Sequence, residues 1–251
     1  MNKKNKKITI IIQARSDSKR FPKKVLSVIK GKSLLWHVIN RAKHMRYDEI
    51  VVATTTRTID NKIAEISRNS GVKCFRGKAH DVLDRFFKAA KRYDSDIIVR
   101  ITADCPLIDP IESNKVINKF LSGKYDYVTS DDKTYPKGID TECFSFNVLK
   151  KTWKNAKLKS EREHVTSHIW NNPKKFKIGK VYNKIPIPQR WVVDYKDDLI
   201  FIKKIYDRLY QNDGVFSMSD VLQVIRKEPM LLKINQYHDP NEGYNLSLEN
   251  D

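Results

Sequence analysis

The residues with most chemical promise lie together near the start of the chain. The stretch from Gln13 to Lys24 carries five cations, Arg15, Lys19, Arg20, Lys23 and Lys24, among the small or hydroxyl residues Ala14, Ser16 and Ser18. Such a loop suits a polyphosphate. A triphosphate carries about four negative charges near neutrality, which arginine pairs with two parallel donors and lysine meets as a point charge. Ala14 permits close backbone approach, and Pro22 stiffens the loop, which lowers the cost of ordering it on a ligand. No glycine occurs before Gly31, so the loop is neither a P-loop nor a GxGxxG turn.

Two aspartates further along can supply a hard cation. Asp104 follows the run ending at Ile101 and is held by Pro106, and Asp194 follows Trp191–Val193. Magnesium is typically bound by one or two carboxylates plus substrate phosphates, so the pair is chemically adequate. Asp109, directly before Pro110, reads instead as a helix cap. A third group, Glu142, Glu161, Arg162, His164 and His168, is the candidate acceptor side. Arg162 can bind a carboxylate or phosphate, and His164 or Glu142 can orient or deprotonate a hydroxyl. The structural alternative makes Ser160 a helix cap with Glu163 closing a capping box and leaves Arg162 a surface charge; both readings can hold together. His168 is read as an ordinary core or surface histidine.

These residues need a scaffold, and the hydrophobic pattern predicts one. Ile8–Ile12, Glu49–Thr54, Asp96–Ile101 and Tyr125–Thr129 read as buried strands, with Val72–Phe75 as a further short one. Ser33–Met45, Asp60–Asn69, Val82–Tyr93 and Pro110–Leu121 read as the helices between them. Alternation of this kind implies an α/β fold with a mostly parallel sheet covered on both faces, whose ligands bind beyond the carboxyl ends of the strands. From about Lys133 the pattern loosens. Asp140–Phe146, Phe176–Tyr182 and Trp191–Val193 read as strands, and Val148–Asn155, Ser160–Trp170, Asp197–Tyr210 and Ser219–Arg226 as helices. Residues 241–251 read as a polar tail. Trp36, Trp153, Trp170 and Trp191 sit in apolar patterns and are expected in the core.

The chain has 251 residues and a net charge of +19, with no composition break to mark a second domain. The charge attracts a nucleic acid or a small polyanion equally well, but no RNP, KH, zinc-finger or helix-turn-helix signature supports a nucleic-acid module. Cys74, Cys105 and Cys143 are an odd, scattered set, which argues for reduced thiols over a disulfide framework or zinc site. No stretch approaches the roughly 20 apolar residues of a membrane span, and Ile8–Ile12 is too short for a signal sequence. A soluble, cytoplasmic protein without a membrane partner is expected.

The ordered motifs resemble a known family. Ala14-Arg15-x-x-Ser18-x-Arg20-x-Pro22-x-Lys24 is similar to the opening of the CMP-sugar synthetases, including 3-deoxy-manno-octulosonate cytidylyltransferase. The fuller set resembles the branch of spore coat polysaccharide biosynthesis protein F. It comprises Asp81 to Phe86, Arg100 to Leu107, Gly138-Ile139-Asp140-x-Glu142, Ser160 to Thr166, Arg190 to Leu199 and Gly243-Tyr244-x-x-Ser247-Leu248. The resemblance implies a three-layer, Rossmann-like nucleotidyltransferase (glycosyltransferase-A-like) fold over 1–251, with roughly 133–190 as an insertion for the acceptor or for dimerisation. It implies attack by an acceptor oxygen on the α-phosphorus of CTP with loss of pyrophosphate, Mg²⁺ being held by Asp104 and Asp194. Arg15, Lys24 and Asp104 are then the catalytic residues. Ala14, Arg15, Ser18, Arg20, Lys24, Asp84, Arg85 and Thr102 bind nucleotide, and Glu142, Arg162 and His164 bind a small anionic acceptor. Thr102 stands where the octulosonate enzymes carry glutamine, and Arg100 where they carry asparagine. The acceptor is a sugar acid or a phosphorylated compound that gives a CDP-linked product, and the resemblance is compatible with a homodimer.

Overall fold

The computed structural model describes residues 6–239, 242–249 and 251. Its strands are β1 (Ile8–Gln13), β2 (Val28–Ile29), β3 (Lys32–Ser33), β4 (Glu49–Thr55), β5 (Lys73–Gly77), β6 (Ile97–Thr102), β7 (Tyr127–Ser130), β8 (Glu142–Ser145) and β9 (Ile178–Val181). The helices are α1 (Leu34–Ala42), α2 (Asn61–Asn69), α3 (Val82–Arg92), α4 (Pro110–Leu121), α5 (Phe146–Asn155), α6 (Lys159–His164), α7 (Ser167–Trp170), α8 (Lys196–Leu209), α9 (Met218–Lys227) and α10 (Glu242–Leu248).

Seven strands form one sheet in the order β5-β4-β1-β6-β8-β7-β9. β1 runs parallel to both neighbours, and β8 is antiparallel to β6 and β7. β1 is apolar at nearly every position because both its faces are covered. Ile10 and Ile12 enter one core with α1, α4, α8 and α9, whereas Ile11 enters the other with α3 and α5. This layering is the doubly covered, mostly parallel sheet that the sequence predicts.

Register sets up the site. Gln13 pairs with Thr102 and with Ala53, so the carboxyl ends of β1, β6 and β4 are level. β8 enters the same end from the opposite direction, which places Glu142 across from Arg100 on one side and Thr129 on the other.

Four expectations are corrected. Trp191–Val193 is not a strand: an isolated parallel bridge joins Lys137 to Arg190 just before it, and the segment itself is buried by packing rather than by a ladder. The helix expected over Ser160–Trp170 is broken at Val165, where φ 60 and ψ −54 leave the helical region. A β-branched residue rarely takes a positive φ; here the Val165 side chain is fully buried, and Thr166 turns its hydroxyl to Glu142 at 2.6 Å. His164 and His168 therefore lie on different helices. The residues read as a polar tail include α10, while Asn241 and Asn250 lie outside the described residues. Trp170, expected in the core, is 39% exposed.

Candidate active site

A cavity of about 490 Å³ opens at the carboxyl ends of β1 and β6. Ala14, Arg15, Ser18, Arg20, Lys24, Arg85, Thr102, Asp104, Glu142, His164 and Asp194 all line it. Asp84 and Arg162 do not. Asp84 accepts from Trp153 Nε1 at 3.0 Å and pairs with Lys88, on the side of α3 that packs on α5. Arg162 grips Asp81 through Nε and Nη2 and donates to the Trp153 carbonyl, so it ties α6 to the start of α3. The resemblance implies nucleotide binding for Asp84, and Arg162 is expected to bind the acceptor, but neither side chain faces the cavity.

The basic loop is held by buried anchors. Ala14 N donates to Ala53 O at 3.2 Å, and Ser16 N donates to Asp60 Oδ1 at 2.8 Å. Asp60 is fully buried and also accepts from Thr55. Lys23 N donates to Ser16 O at 2.8 Å and closes the loop, with Lys23 in the left-handed region at φ 59. Lys24 then starts a 3-10 turn that points its amine inward. Arg15 reaches across to Glu163 at 3.0 Å.

Lys24 Nζ lies 2.7 Å from Asp104 Oδ2 and 2.7 Å from Asp194 Oδ1. Asp194 also accepts from Arg20 Nη2 at 2.8 Å and Arg190 Nη2 at 2.9 Å. Burial alone would raise both carboxyls; the Lys24 ammonium outweighs it and holds each below the usual carboxylate range. The same exchange works on Lys24, where burial is overcome by the two aspartates and the amine stays charged.

Backbone geometry brings these remote residues together. Lys137 N donates to Gln189 O and Trp191 N to Lys137 O, and Val193 N donates to Asp104 O at 2.8 Å. Gly138 makes the approach possible: at φ +107, an added Cβ would sit 2.7 Å from the Trp191 carbonyl carbon. Asp198, fully buried, accepts from Asp194 N, Tyr195 N and Arg190 Nε, which fixes the start of α8 and the orientation of Asp194.

The far half of the cavity has different chemistry. Arg100 donates to Gln13 Oε1 through Nε and Nη2 and ion-pairs with Glu142, whose other oxygen accepts from Tyr127 OH at 2.5 Å and Thr166 at 2.6 Å. Glu142 is therefore held on both oxygens and braces Arg100. Glu161 is likewise structural, bound to His168 Nδ1 at 2.7 Å and to Lys157 N at 2.8 Å. His164 meets Ser247 Oγ at 2.9 Å through Nε2; burial first and Arg100 second push its pKa down to about 4, so it is neutral at pH 7. Burial lowers Arg85 to about 10, with Arg15 adding to the effect; its Nη1 donates to Lys78 O at 2.8 Å, while buried Nε has no partner among the described residues. Lys137, Lys180, Trp170, Gly243 and Tyr244 also line the cavity. Sequence reasoning missed them as site residues, although Gly138-Ile139-Asp140 and the closing Gly243-Tyr244 motif flag two of these segments. Among the described residues no cluster of three or more His, Cys, Asp or Glu is arranged around a metal, so the Asp104–Asp194 pair is the hard-cation donor set to consider. No helix is long and apolar enough to cross a membrane.

A family model for cytidylyltransferases matches residues 9–227. Spore coat polysaccharide biosynthesis protein SpsF of Bacillus subtilis is 29% identical over 88% of this chain and 95% of its own length. A 3-deoxy-manno-octulosonate cytidylyltransferase of Geotalea uraniireducens is 40% identical over 96% of this chain and 90% of its own. A solved cytidylyltransferase structure from Leptospira borgpetersenii superposes with a TM-score of 0.87 at 33% identity, covering 93% of this chain and 98% of the other.

Proposed function

Because this chain belongs to the cytidylyltransferase family and is thus a nucleotidyltransferase, we propose that it transfers CMP from CTP to a small anionic acceptor. The acceptor is of the sugar-acid class, the product serves surface polysaccharide or glycan assembly, and pyrophosphate leaves. The observation that carries this reading is the convergence of Arg20, Lys24, Asp104 and Asp194 on one cavity wall at the carboxyl ends of β1 and β6.

In this reading Arg15, Arg20 and Lys24 receive the triphosphate and spread the charge that grows on departing pyrophosphate. Transfers of this type depend mainly on positioning and charge neutralisation, so a site without a nucleophilic triad suffices. Arg85, which lines the cavity together with Ala14 and Arg15, would read the acceptor edge of a pyrimidine. Arg100, braced by Glu142, and neutral His164 face the acceptor, and His164 orients its hydroxyl as a hydrogen-bonding group, its low pKa making it a weak base. Residues of roughly 133–190 contribute Glu142 and His164 to this half, while Arg100 comes from β6.

The donor set also suits Mg²⁺. Two hard carboxylate oxygens converge on the point held by the Lys24 ammonium, and the Cys105 thiol lies 3.7 Å from Asp104 Oδ1. Asp104 and Asp194 would hold the ion, Asp194 sharing its charge with Arg20, Lys24 and Arg190. Bound there, Mg²⁺ supplies charge neutralisation and alignment of phosphate oxygens.

Thermal shift with ATP, GTP, UTP and CTP in the presence of Mg²⁺ tests the base, and mass spectrometry of CTP reactions against sugar acids and phosphorylated sugars or polyols tests the acceptor. Stabilisation by UTP or GTP in preference to CTP overturns the nucleotide. A CDP-linked product overturns the sugar-acid class.

A further inference from the structure

The closing motif Gly243-Tyr244-x-x-Ser247-Leu248 lies in α10, and the reaction outlined above uses none of it. The helix nevertheless touches both halves of the cavity. Glu242 Oε2 accepts from Arg20 Nη1 at 3.0 Å and from the Tyr195 hydroxyl. Gly243 lies beside the same guanidinium, where a Cβ would make ordinary contact with Arg20 Nη2 at 3.4 Å. At the other end Ser247 Oγ meets His164 Nε2 at 2.9 Å, and the Tyr244 ring lies 5.1 Å from His164 and 5.2 Å from Trp170.

Arg20 is thereby enclosed by carboxylates. Asp194 takes Nη2 at 2.8 Å and Glu242 takes Nη1, so both ends of the guanidinium fork carry an anion. The Asp194 contact belongs to the buried Lys24–Asp104 network. The Glu242 contact is more open, with the Arg20 and Glu242 side chains 24% and 35% exposed, and comes from an element outside the sheet. A phosphate oxygen and a carboxylate cannot both occupy the same donor pair without strong like-charge repulsion.

We infer that Glu242 is an internal anion through which α10 occupies Arg20, and that phosphate groups of the nucleotide displace it. The inference rests on the reading of Arg20 as a phosphate ligand. Displacement frees the end of α10 whose Tyr244 and Ser247 press on His164, so arrival of phosphate in one half of the cavity alters the wall of the other.

The test is calorimetric titration of the full chain with inorganic pyrophosphate and Mg²⁺, using wild type, Glu242→Gln and Arg20→Ala, with circular dichroism melts as a folding check. Glu242→Gln is expected to bind pyrophosphate about threefold or more tighter, since it removes a competing charge at nearly constant shape. Amide exchange across 242–248 is expected to speed up in wild type when pyrophosphate is added. Equal or weaker binding by Glu242→Gln, or unchanged exchange in wild type, overturns the inference. Arg20→Ala separates the two layers. If it binds pyrophosphate as well as wild type, the phosphate role of Arg20 fails and this inference fails with it; if it binds weakly while Glu242→Gln is unchanged, only the role of Glu242 is lost.

Discussion

Asp104 and Asp194 meet at one ammonium, with Lys24 Nζ 2.7 Å from Asp104 Oδ2 and 2.7 Å from Asp194 Oδ1. Strands do not deliver this geometry by themselves. It depends on the Val193–Asp104 backbone bond, which carries the second aspartate to the end of β6.

Asp104→Asn keeps an acceptor for Lys24 but removes a charge. Pyrophosphate release should fall by about 10²-fold or more, the scale of losing one electrostatic contact to a transition state, with the melting temperature nearly unchanged. Undiminished turnover would take Asp104 out of the mechanism.

Lys24→Met leaves the two carboxylates facing each other, with Arg20 and Arg190 still on Asp194. A loss of about 2 kcal/mol is expected in urea melts with EDTA, less than for a wholly uncompensated buried charge. Millimolar Mg²⁺ should restore part of it in the variant and little in wild type. A variant as stable as wild type in EDTA would refute the bridging role.

Arg162→Ala separates structure from acceptor binding. Its side chain is 21% exposed and its partner Asp81 29%, so the bidentate pair is partly screened and its loss should cost about 1–2 kcal/mol. The KM for acceptor should stay within about twofold of wild type, because the side chain does not reach the cavity. A KM raised tenfold in a variant of normal stability would return Arg162 to the acceptor site.

His164 makes the fold acid-sensitive. Its folded pKa is pushed down to about 4, burial first and Arg100 second, while an unfolded histidine titrates near 6.5. Between those values the unfolded chain takes up a proton that the folded chain refuses, so stability falls as pH drops through the window. From about pH 6.5 to 5 this one group accounts for about 2 kcal/mol. His37, also pushed down to about 4, chiefly by burial, adds a similar slope. Denaturant titrations of His164→Gln should show a shallower decline than wild type; an identical decline would exclude His164 as a contributor.

Gly138→Ala tests the strap that joins the aspartates. The residue sits at φ +107, and the new Cβ would meet the Trp191 carbonyl carbon at 2.7 Å, so a loss of about 3 kcal/mol is expected from strain and overpacking together. Turnover should drop alongside stability, because displacement of Trp191 moves Val193 and Asp194. Normal turnover and stability would show that the strap tolerates the methyl group.

The central strands and the basic loop were legible because burial on both faces writes a continuous apolar run, and β1 ends where the cations begin. What sequence could not give were pairings across distance. Arg162 with Asp81, and Arg100 with Glu142, are set by the packing of α6 on α3 and by the register of β8. Trp191–Val193 has the composition of a strand, but it is buried without a ladder. The break at Val165 puts a β-branched residue at positive φ against its steric preference and persists because the core takes the valine and Glu142 takes Thr166. The helix α10 escaped notice because a short, polar segment carries little periodic signal.

The Ser16–Lys23 bond turns the basic loop into a closed ring that the buried Asp60 carboxylate pins to the sheet. An open loop would surrender about 1–2 kcal/mol of backbone entropy per residue on settling around a ligand. Here that loss is incurred when the chain folds, and the cations wait already in place. Slackening the ring, by disturbing the buried Asp60 or Ser16, would therefore weaken nucleotide affinity by more than the accompanying loss of stability alone explains.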